Sequence, residues 1–294
     1  MILTITLNPS VDMSYFLKKL EIDTINRASH VLKTAGGKGI NVTRVVHLAG
    51  HPVRATGFLG GTNGTFILQQ LHELQVSTDF VLIRENTRNC IAILHERKQT
   101  EILEGGPEIY EDEAKQFIEK FERLIEQTDV ITASGSLPNG LPPSFYQTLI
   151  SMTNAKGKKF LLDTSGQALR ESLSARPFLI KPNLEELEQF INKKVKTIDE
   201  VKQAILSLHQ EVQIPIIVVS LGADGAVAFA NGRFYKGTPP NVEVKNTVGC
   251  GDAMVAGFAI AIDLGLSVEE ILAYGCAFGA LNAMDERTGY IDRN

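Results

Sequence analysis

The sequence predicts an α/β protein with a mostly parallel sheet that is covered by helices on both faces. Short apolar segments rich in β-branched residues alternate with helical segments along most of its 294 residues, and this alternation is typical of a parallel sheet. The segment 214–219 is almost wholly apolar, as expected of a strand buried on both faces. Polar and glycine-rich loops follow many of these strands, which predicts ligand binding at their carboxyl ends.

The strands are predicted from short apolar runs, and the helices from apolar positions three or four residues apart. In chain order, the predicted sheet strands are 2–7, 53–59, 80–83, 130–133, 160–162, 178–180 and 214–219. Predicted helices span 66–74, 252–264 and 268–283, and one begins at Pro142-Pro143. Three more have their apolar faces within 42–49, 117–125 and 184–190. Gly60-Gly61 is predicted to form a turn, and residues 226–245 to form one or two hairpins.

Two segments, about 13–34 and 87–106, depart from this rhythm and predict a small β-sheet that stands off the main body. The first mixes charged and β-branched residues without helical periodicity, and the second alternates between apolar and polar positions around a turn at 96–98. Such a sheet would either cover a site or pair with another subunit. We find no internal repeat or long linker, so residues 1–294 are interpreted as one domain with this excursion.

Composition argues against several classes of protein. The net charge of −5 argues against nonspecific nucleic-acid binding, and no apolar run reaches the ~18 residues needed to cross a bilayer. The three cysteines are odd in number and far apart, which favours a reducing compartment over a disulfide framework. The first residues lack the charged and small-residue features of a signal peptide. The sequence therefore predicts a cytoplasmic protein without nucleic-acid or membrane partners.

The segment 246–257 combines two glycines, a carboxylate and an apolar helix. Gly249 and Gly251 can adopt backbone angles closed to other residues, so that successive N–H groups point toward one position in front of the helix. A helix N-terminus favours an anion, and Asp252 there could accept a hydroxyl proton while the N–H groups stabilise developing negative charge. This combination suits phosphoryl transfer. An aspartate that caps a helix after a glycine turn is the alternative interpretation.

A second glycine-rich loop, Thr34–Asn41, also leads into a predicted helix. Lys38 lies at the helix start and Asn41 one turn later, so an ammonium and a carboxamide could meet a phosphate and sugar hydroxyls on one face. A common turn with a solvated lysine explains the same pattern. Arg88 could bind a phosphate through its planar guanidinium, or be an ordinary exposed arginine.

The nucleotide and metal candidates follow later strands. Asn183 and Glu186, at a predicted helix start, could hold Mg²⁺ and its waters or simply cap the helix. The loop 220–225 follows a strand and could approach a nucleotide closely. The chain has no P-loop and no dinucleotide fingerprint after its first strand, which argues against a dinucleotide enzyme. His47 and His51 have a zinc-like spacing, but a glycine and a proline interrupt the helix there, so no zinc site is predicted.

The candidate residues share one placement, because each follows a predicted strand or lies in the excursion. We expect them at one rim of the sheet, as in a binding cleft. They are Asp12, 36–41, Arg88, Ser134–Ser136, Lys181–Asn183, 220–222 and 249–252.

With these residues assembled, the chain resembles the ribokinase-like (PfkB) sugar kinases along nearly its whole length. The signatures are Gly-Gly-Lys-Gly-Ile-Asn at 36–41 and Val-Gly-Cys-Gly-Asp-Ala at 248–253. Similarity to the hexose-phosphate branch of this family is found at 6–12, 106–109, 134–138 and 181–183. The stretches that are most similar to the branch members acting on tagatose 6-phosphate are 34–37, 85–94 with 100–104, and 281–290.

The resemblance implies a ribokinase-like fold whose small sheet is a lid, and an ATP-dependent kinase that phosphorylates a ketohexose phosphate. Tagatose 6-phosphate is the leading substrate and fructose 1-phosphate the alternative. A non-catalytic sugar-phosphate sensor is less favoured, because Asp252 and its glycines are retained. A nucleoside kinase is also less favoured, because Lys38 and Arg88 would face a substrate without a phosphate.

The resemblance further implies roles for individual residues. Asp252 is the expected general base, and Gly249, Cys250 and Gly251 are expected to form the anion hole. The expected contacts of the sugar phosphate are Asp12, Gly36, Gly37, Lys38, Asn41, Arg88, Asn89 and Ser136. The expected contacts of ATP are Lys181, Asn183, Ser220, Gly222, Ala223, Gly225 and Asn282. Glu186 is expected to bind Mg²⁺ through water.

ATP and Mg²⁺ are thus the implied cofactors, and dependence on a monovalent cation stays open. The lid is often shared between two subunits in this family, so the resemblance implies a homodimer through the lid. Cys250 is a departure, since the family usually has Ala or Ser at that position. A thiol at a helix N-terminus is expected to have a lowered pKa and to react readily with alkylating agents.

Overall fold

The computed structural model describes residues 1–96 and 98–292. In chain order, its strands are β1 (Ile2–Thr6), β2 (Ser10–Phe16), β3 (His30–Gly36), β4 (Val53–Gly60), β5 (Ser77–Thr78), β6 (Val81–Ile83), β7 (Arg88–His95), β8 (Lys98–Leu103), β9 (Val130–Ser134), β10 (Lys159–Asp163), β11 (Leu179–Ile180), β12 (Ile216–Ser220), β13 (Ala226–Ala230) and β14 (Arg233–Gly237). Its helices are α1 (Lys38–Leu48), α2 (Gly61–Glu73), α3 (Glu111–Ile125), α4 (Phe145–Ala155), α5 (Gly166–Leu173), α6 (Leu184–Ile191), α7 (Ile198–Val212), α8 (Cys250–Asp263) and α9 (Val268–Met284).

A large sheet runs through the centre in the order β14-β13-β12-β11-β10-β9-β1-β4-β5, with β6 also beside β4. Neighbouring strands from β12 to β5 are parallel. At the other edge, β13 pairs antiparallel with both β12 and β14. The predicted mostly parallel sheet is therefore confirmed. Because parallel strands end at the same edge, the loops after β1, β9, β10, β11 and β12 converge there.

Helices cover both faces of this sheet, because alternate side chains of each strand point to opposite faces. On β1, Leu3 packs in one buried cluster with Phe117 of α3, whereas Ile2 packs in another with Phe258 of α8. Helix α8 contacts α1, α9 and the sheet, and every residue in 252–262 is buried. This burial explains why α8 is apolar on all sides. Among the helices that the structure describes, none is both long and apolar enough to cross a membrane.

The excursion forms a separate small sheet in the order β3-β2-β7-β8. Its central strands β2 and β7 are parallel, and the two outer pairs are antiparallel. The predicted small sheet is confirmed, although β2 begins at Ser10 and β3 ends at Gly36, slightly beyond the predicted segment 13–34. Arg97, in the predicted turn, lies outside the described residues. The base of this lid thus adjoins the end of β1, where the sheet rim begins.

Some helix predictions were wrong in detail. Helix α2 begins at Gly61, whose φ of +60° lets β4 pass directly into the helix without turn residues. Helix α4 begins at Phe145, because a turn in which Phe145 N–H donates to Pro142 C=O precedes it. Helices α5 and α7 were not predicted. A signal for α7 was present in the sequence, because Thr197 and Glu200 form the capping box at its start.

The contact between α8 and α9 predicts a specific sensitivity of the fold. A methyl group on Gly275 of α9 would overlap the ring of Phe258 of α8. We expect Gly275→Ala to lower the free energy of unfolding by about 1–3 kcal/mol through overpacking, although alanine favours a helix by about 1 kcal/mol.

Urea unfolding followed by circular dichroism measures this change. Ala273→Ser, on the exposed side of the same helix, is the control and should stay within about 0.5 kcal/mol of the wild type. A Gly275→Ala protein as stable as the wild type would show that α8 can shift without cost.

Candidate active site

The glycine-rich segment before α8 places a carboxylate at the rim where the parallel strands end. Gly249 is the N-cap of α8 with a φ of +85°, and a Cβ atom there would lie 2.8 Å from Thr288 Cγ2. Both the backbone conformation and the available space therefore require glycine. Gly251 and Asp252 follow in the first turn, where helix N–H groups have no intrahelical carbonyl partner. This end of α8 is suited to bind an anion.

Asp252 is buried, with 6% of its surface exposed. Its Oδ2 accepts a hydrogen bond of 2.9 Å from Asn41 Nδ2, which reaches it from α1. Burial raises the pKa of Asp252 to about 6, and the Asp163 carboxylate contributes to this rise. Lys38, Asn41 and Lys181 favour the charged form and oppose the rise in pKa. At pH 7 the carboxylate is therefore mostly ionised, yet close enough to its pKa to exchange a proton.

Asp163, the last residue of β10, is a site residue that the sequence reasoning missed. Its side chain is 1% exposed and lies between two lysines, with Lys181 Nζ 3.3 Å from Oδ1 and Lys38 Nζ 3.9 Å from Oδ2. Neither carboxylate oxygen has a partner in hydrogen-bond geometry within the described residues. The signal that could have found it is a carboxylate at the carboxyl end of a predicted sheet strand.

Lys38, the first residue of α1, reaches the same place but keeps 45% of its side chain exposed. The Asp163 carboxylate raises the pKa of Lys38 most strongly, burial opposes this, and Asp252 and Glu186 raise it further. Lys181 is buried, and its Nζ would lie 3.4 Å from a Cβ atom on Gly251, in the first turn of α8. Two ammonium groups therefore lie beside the N-terminus of α8.

Asp12 lies on β2 at the base of the lid, beside the second glycine-rich loop. A Cβ atom on Gly36 would overlap the Asp12 carboxyl group, so this close approach requires glycine. Ser10 Oγ donates a hydrogen bond of 2.6 Å to Asp12 Oδ1. Burial raises the pKa of Asp12, whereas Ser10, Arg44 and Arg88 lower it.

Arg88 and Asn89 begin β7, where the lid joins the main body. Arg88 donates to the carbonyl oxygens of Glu104 and Asn8 at 2.8 and 3.3 Å, and its buried Nε has no partner among the described residues. The backbone N–H and the Nδ2 of Asn89 both donate to the Glu104 carboxylate. Ser136 is exposed, and its Oγ accepts a hydrogen bond of 3.1 Å from Asn8 Nδ2. These groups form a polar base of the lid.

Asn183 and Glu186 cap helix α6. Asn183 Oδ1 accepts from Glu186 N–H at 2.8 Å, and Glu186 Oε2 accepts from Asn183 N–H at 2.8 Å. The structure therefore has the capping arrangement that the sequence left open. Glu186 also raises the pKa of Lys38, which places its charge near the cleft.

The acidic groups near Lys38 fit a magnesium ion that is held largely through water. No group of three or more His, Cys, Asp or Glu side chains that could enclose a metal occurs within the described residues. Magnesium, however, usually takes only one or two carboxylates and keeps several waters. Glu186 and the buried Asp163 could supply these two carboxylates. Neither oxygen of Asp163 accepts a hydrogen bond within the described residues, so both are available to a cation or its waters.

The loop after β12 carries further predicted nucleotide contacts. Ser220 ends β12 and pairs with the N-cap residue of α6. Gly222 has a φ of +61° and is exposed with Ala223, and a Cβ atom on Gly222 would meet open space. Gly225 has a φ of +88° and is buried, and a Cβ atom there would overlap the Gly237 carbonyl. Gly222 and Ala223 are therefore open to a ligand, whereas Gly225 is required by packing.

Asn282 occupies a different setting from the one expected of an adenine contact. It is fully buried, at 0% exposure. Its Nδ2 donates to Val248 C=O at 2.9 Å, and its Oδ1 accepts from Gly289 N–H at 2.8 Å. The amide therefore joins the segment before α8 to the segment after α9, and it has no exposed surface to offer to a nucleotide. The sequence could not show that the segment after α9 folds back over this residue.

The predicted low pKa of the Cys250 thiol is wrong. Burial raises its pKa, the Asp252 carboxylate adds to that rise, and the hydrogen bond from Asn282 only partly offsets it. A position in the first turn of a helix does not lower the pKa when burial and a neighbouring anion act against it.

The chain is similar to known carbohydrate kinases along nearly its whole length. A family model described as pfkB family carbohydrate kinase matches residues 5–292. Tagatose-6-phosphate kinase from Staphylococcus epidermidis, in two strains, is 46% identical over 296 residues, which cover 99% of this chain and 95% of that protein.

Solved structures share the fold. Phosphofructokinase-2 from Escherichia coli in complex with potassium matches with a TM-score of 0.90 and 28% identity, over 98% of this chain and 94% of that chain. A possible 1-phosphofructokinase from Thermotoga maritima matches with a TM-score of 0.88 and 25% identity, over 99% of this chain and 94% of that chain. Ribokinase from Arabidopsis thaliana, complexed with ribose and ATP, matches with a TM-score of 0.81 and 21% identity, over 98% of this chain and 94% of that chain. At this identity the match shows the fold alone. The expected ribokinase-like fold and family resemblance are confirmed.

The raised pKa of Asp252 predicts how stability changes with pH. A carboxyl group with a higher pKa in the folded protein than in the unfolded chain stabilises the fold when protonated, and this stabilisation is lost as the pH rises through about 6. We expect Asp252→Asn to raise the free energy of unfolding at neutral pH by roughly 1–3 kcal/mol, and the difference to vanish below about pH 4.

Urea unfolding of the wild type and of Asp252→Asn, from about pH 4 to about pH 8, measures this difference. If Asp252→Asn were less stable than the wild type at about pH 8, ionisation of Asp252 would not destabilise the fold, and the prediction would be contradicted.

Proposed function

Because the chain belongs to the pfkB family of carbohydrate kinases, we propose that it transfers the γ-phosphoryl group of ATP to the free primary hydroxyl of tagatose 6-phosphate. The product is tagatose 1,6-bisphosphate. The identity of 46% to tagatose-6-phosphate kinase over nearly the full length supports this substrate. The observation that carries the reaction type is the buried Asp252 carboxylate at the N-terminus of α8, with Lys38 and Lys181 beside it.

In the proposed reaction, the acceptor hydroxyl donates its proton to Asp252 while its oxygen attacks the γ-phosphorus. The bond from that phosphorus to the β,γ-bridging oxygen breaks, and ADP leaves. A carboxylate with a pKa of about 6 is ionised at neutral pH and can take this proton. The backbone at Gly249, Cys250 and Gly251 stabilises the charge on the transferred group.

The base of the lid is the proposed sugar-phosphate site. Arg88 and Lys38 would bind the phosphate that the substrate already carries, since Arg88 lies at the base of the lid and 45% of the Lys38 side chain is exposed. Asp12 and Asn41 would bind sugar hydroxyls. The remaining proposed contacts are the backbone at Gly36 and Gly37, and the side chains of Asn89 and Ser136.

ATP is proposed to lie along Lys181, Asn183 and the loop 220–225. Magnesium, when bound, neutralises phosphate charge and orients the transferred group, and Glu186 through water, with Asp163, would hold it. Potassium is present in a structure of the Escherichia coli relative, so dependence on a monovalent cation is best tested directly. Both substrates are charged metabolites that membranes retain in the cytoplasm, and a cytoplasmic location is part of the proposal.

We also propose a homodimer through the lid. Apolar side chains stand out from the small sheet and its connecting loop, with Ile22 85%, Ile25 78%, Ile102 55% and Leu103 62% exposed. A second copy that covers this surface would remove it from water. Sedimentation should show a dimer for the wild type and a monomer for Ile102→Glu combined with Leu103→Glu. A monomeric wild type at micromolar concentration would contradict the proposal.

A coupled assay of ADP release tests the function, with ATP and Mg²⁺ in the presence and absence of potassium. We expect the highest kcat/KM with tagatose 6-phosphate, compared with fructose 6-phosphate and fructose 1-phosphate. If kcat/KM were instead highest with fructose 1-phosphate, the result would favour 1-phosphofructokinase activity, the alternative suggested by the structural match to the Thermotoga maritima protein. ADP release no faster than that of Asp252→Asn with every sugar would favour a non-catalytic sensor.

Two substitutions separate the proposed chemistry from the proposed binding. Asp252→Asn removes proton acceptance with little change in volume, so kcat should fall by roughly 10²–10⁴ while the KM for the sugar phosphate changes little. Arg88→Ala removes a charge-assisted contact of about 1.5–3 kcal/mol, so KM should rise by roughly 10–100-fold with a smaller effect on kcat.

Arg84→Ala is the matched control for the loss of an arginine, since Arg84 is exposed and pairs with Asp112. It should leave both constants near the wild-type values. An Arg88→Ala enzyme with unchanged KM would place the substrate phosphate elsewhere.

A further inference from the structure

Arg44 is a buried arginine whose role neither the motifs nor the proposed reaction explains. It lies on α1, and 3% of its surface is exposed. A buried guanidinium is costly unless its donors are satisfied. Its Nη1 donates to Asn41 Oδ1 at 3.0 Å and to Thr288 C=O at 3.1 Å, and its Nη2 donates to Ala35 C=O, whereas its Nε has no partner among the described residues. The guanidinium also lies 4.9 Å from the centre of the Tyr290 ring.

The contact between Arg44 and Asn41 fixes which way the amide of Asn41 points. An arginine has only donors, so the atom of Asn41 that faces it has to be the oxygen. The NH₂ group of Asn41 is then directed to Asp252, whose Oδ2 it meets at 2.9 Å. With the amide turned over, an oxygen would face the carboxylate and a donor would face the guanidinium, and both contacts would be lost.

The other acceptors of Arg44 belong to the two segments that flank this contact. Ala35 precedes the glycine loop at the end of lid strand β3. Thr288 lies in the segment after α9, and its Cγ2 would be 2.8 Å from a Cβ atom on Gly249, the N-cap of α8. One guanidinium therefore joins the base of the lid, the partner of Asp252, and the segment that packs on the start of α8.

We propose that Arg44 is a positioning residue for the phosphoryl transfer, which holds the Asn41 amide in the one orientation that donates to Asp252. This inference depends on the proposed function, in which Asp252 is the general base. Arg44 does not itself touch the reacting atoms. Its effect on the reaction is expected to pass entirely through Asn41 and the start of α8.

Several other charged groups act on the same carboxylate and have to be held constant in a test. The titratable groups that interact with Asp252 are Asp163, Lys38, Lys181, Cys250 and Arg44. Those that act on Arg44, besides Asp252, are Asp12, Tyr290 and Arg287. A substitution that keeps the positive charge but loses the geometry separates positioning from electrostatics.

Arg44→Lys is that substitution, because one ammonium on a flexible stem cannot replace the planar fork that reaches three acceptors. The loss of an ordered donor to the charged form raises the pKa of Asp252. We expect kcat at neutral pH to fall at least about tenfold and the acid limb of the kcat profile to move up by about one pH unit. The KM for the sugar phosphate should rise by no more than about tenfold, because Asn41 is also a proposed contact of the sugar.

Arg287→Lys is the matched control. Arg287 lies 4.1 Å from the centre of the same Tyr290 ring and pairs with Asp285, and no hydrogen bond joins it to Asn41 in the described part of the chain. It should therefore share any loss of stability that comes from the ring contact but keep the wild-type acid limb. Combining Arg44→Lys with Asn41→Ala should add little to the loss of kcat caused by Asn41→Ala alone.

The titration of the Asp252 carboxyl carbon by NMR, assigned by its loss in Asp252→Asn, gives a readout that does not depend on activity. A higher pKa in Arg44→Lys and an unchanged pKa in Arg287→Lys would support the positioning role even if the enzyme phosphorylates another sugar. An unchanged pKa and acid limb in Arg44→Lys would overturn it and leave Arg44 with a structural role only. A wild type that releases no ADP with any sugar phosphate would instead contradict the proposed function.

Discussion

An ionised carboxylate inside the protein is the constraint on which this site depends. Burying such a group costs several kcal/mol, on the order of 3–5, unless partners compensate it. Asn41 donates a hydrogen bond to Asp252, Lys38 and Lys181 supply positive charge, and the start of α8 adds its dipole. These partners come from different elements that the parallel sheet brings to one rim. The pKa of Asp252 therefore depends on the whole rim and not on any single neighbour.

The helix that carries this carboxylate has little freedom to move. Helix α8 is buried on all sides, and its contact with α9 is closer than ordinary side chains permit. A Cβ atom on Gly257 would lie 2.8 Å from the Tyr274 carbonyl, and one on Gly275 would overlap the Phe258 ring. Glycines at these crossings let the two backbones approach, and tight packing then fixes the axis of α8. The position of the proposed base is thus set by contacts far from any substrate.

The sequence predicted the large sheet, the small sheet and the residues of the two glycine-rich motifs, because periodicity and motifs are local properties of the chain. It missed Asp163, whose importance comes from lying between Lys38 and Lys181 and not from any motif around it. It also gave Cys250 a low pKa, because burial is decided by elements that are distant in sequence. Which residues lie near the rim could be predicted, but how buried each one is could not.

The same burial bears on the proposed nucleotide site. Asp163 and Asp252 match the charges of Lys38 and Lys181, so the four side chains balance without a ligand. The two lysines lie 3.9 and 3.3 Å from Asp163 outside hydrogen-bond geometry, so their N–H donors stay available to the oxygens of a phosphate. If Lys181 turned to the phosphates of ATP and Lys38 to the phosphate of the sugar, as proposed, the Asp163 carboxylate would be left buried and without its cations. A magnesium ion held there would supply the missing positive charge, and Asp163 with Glu186 would be the residues that hold it.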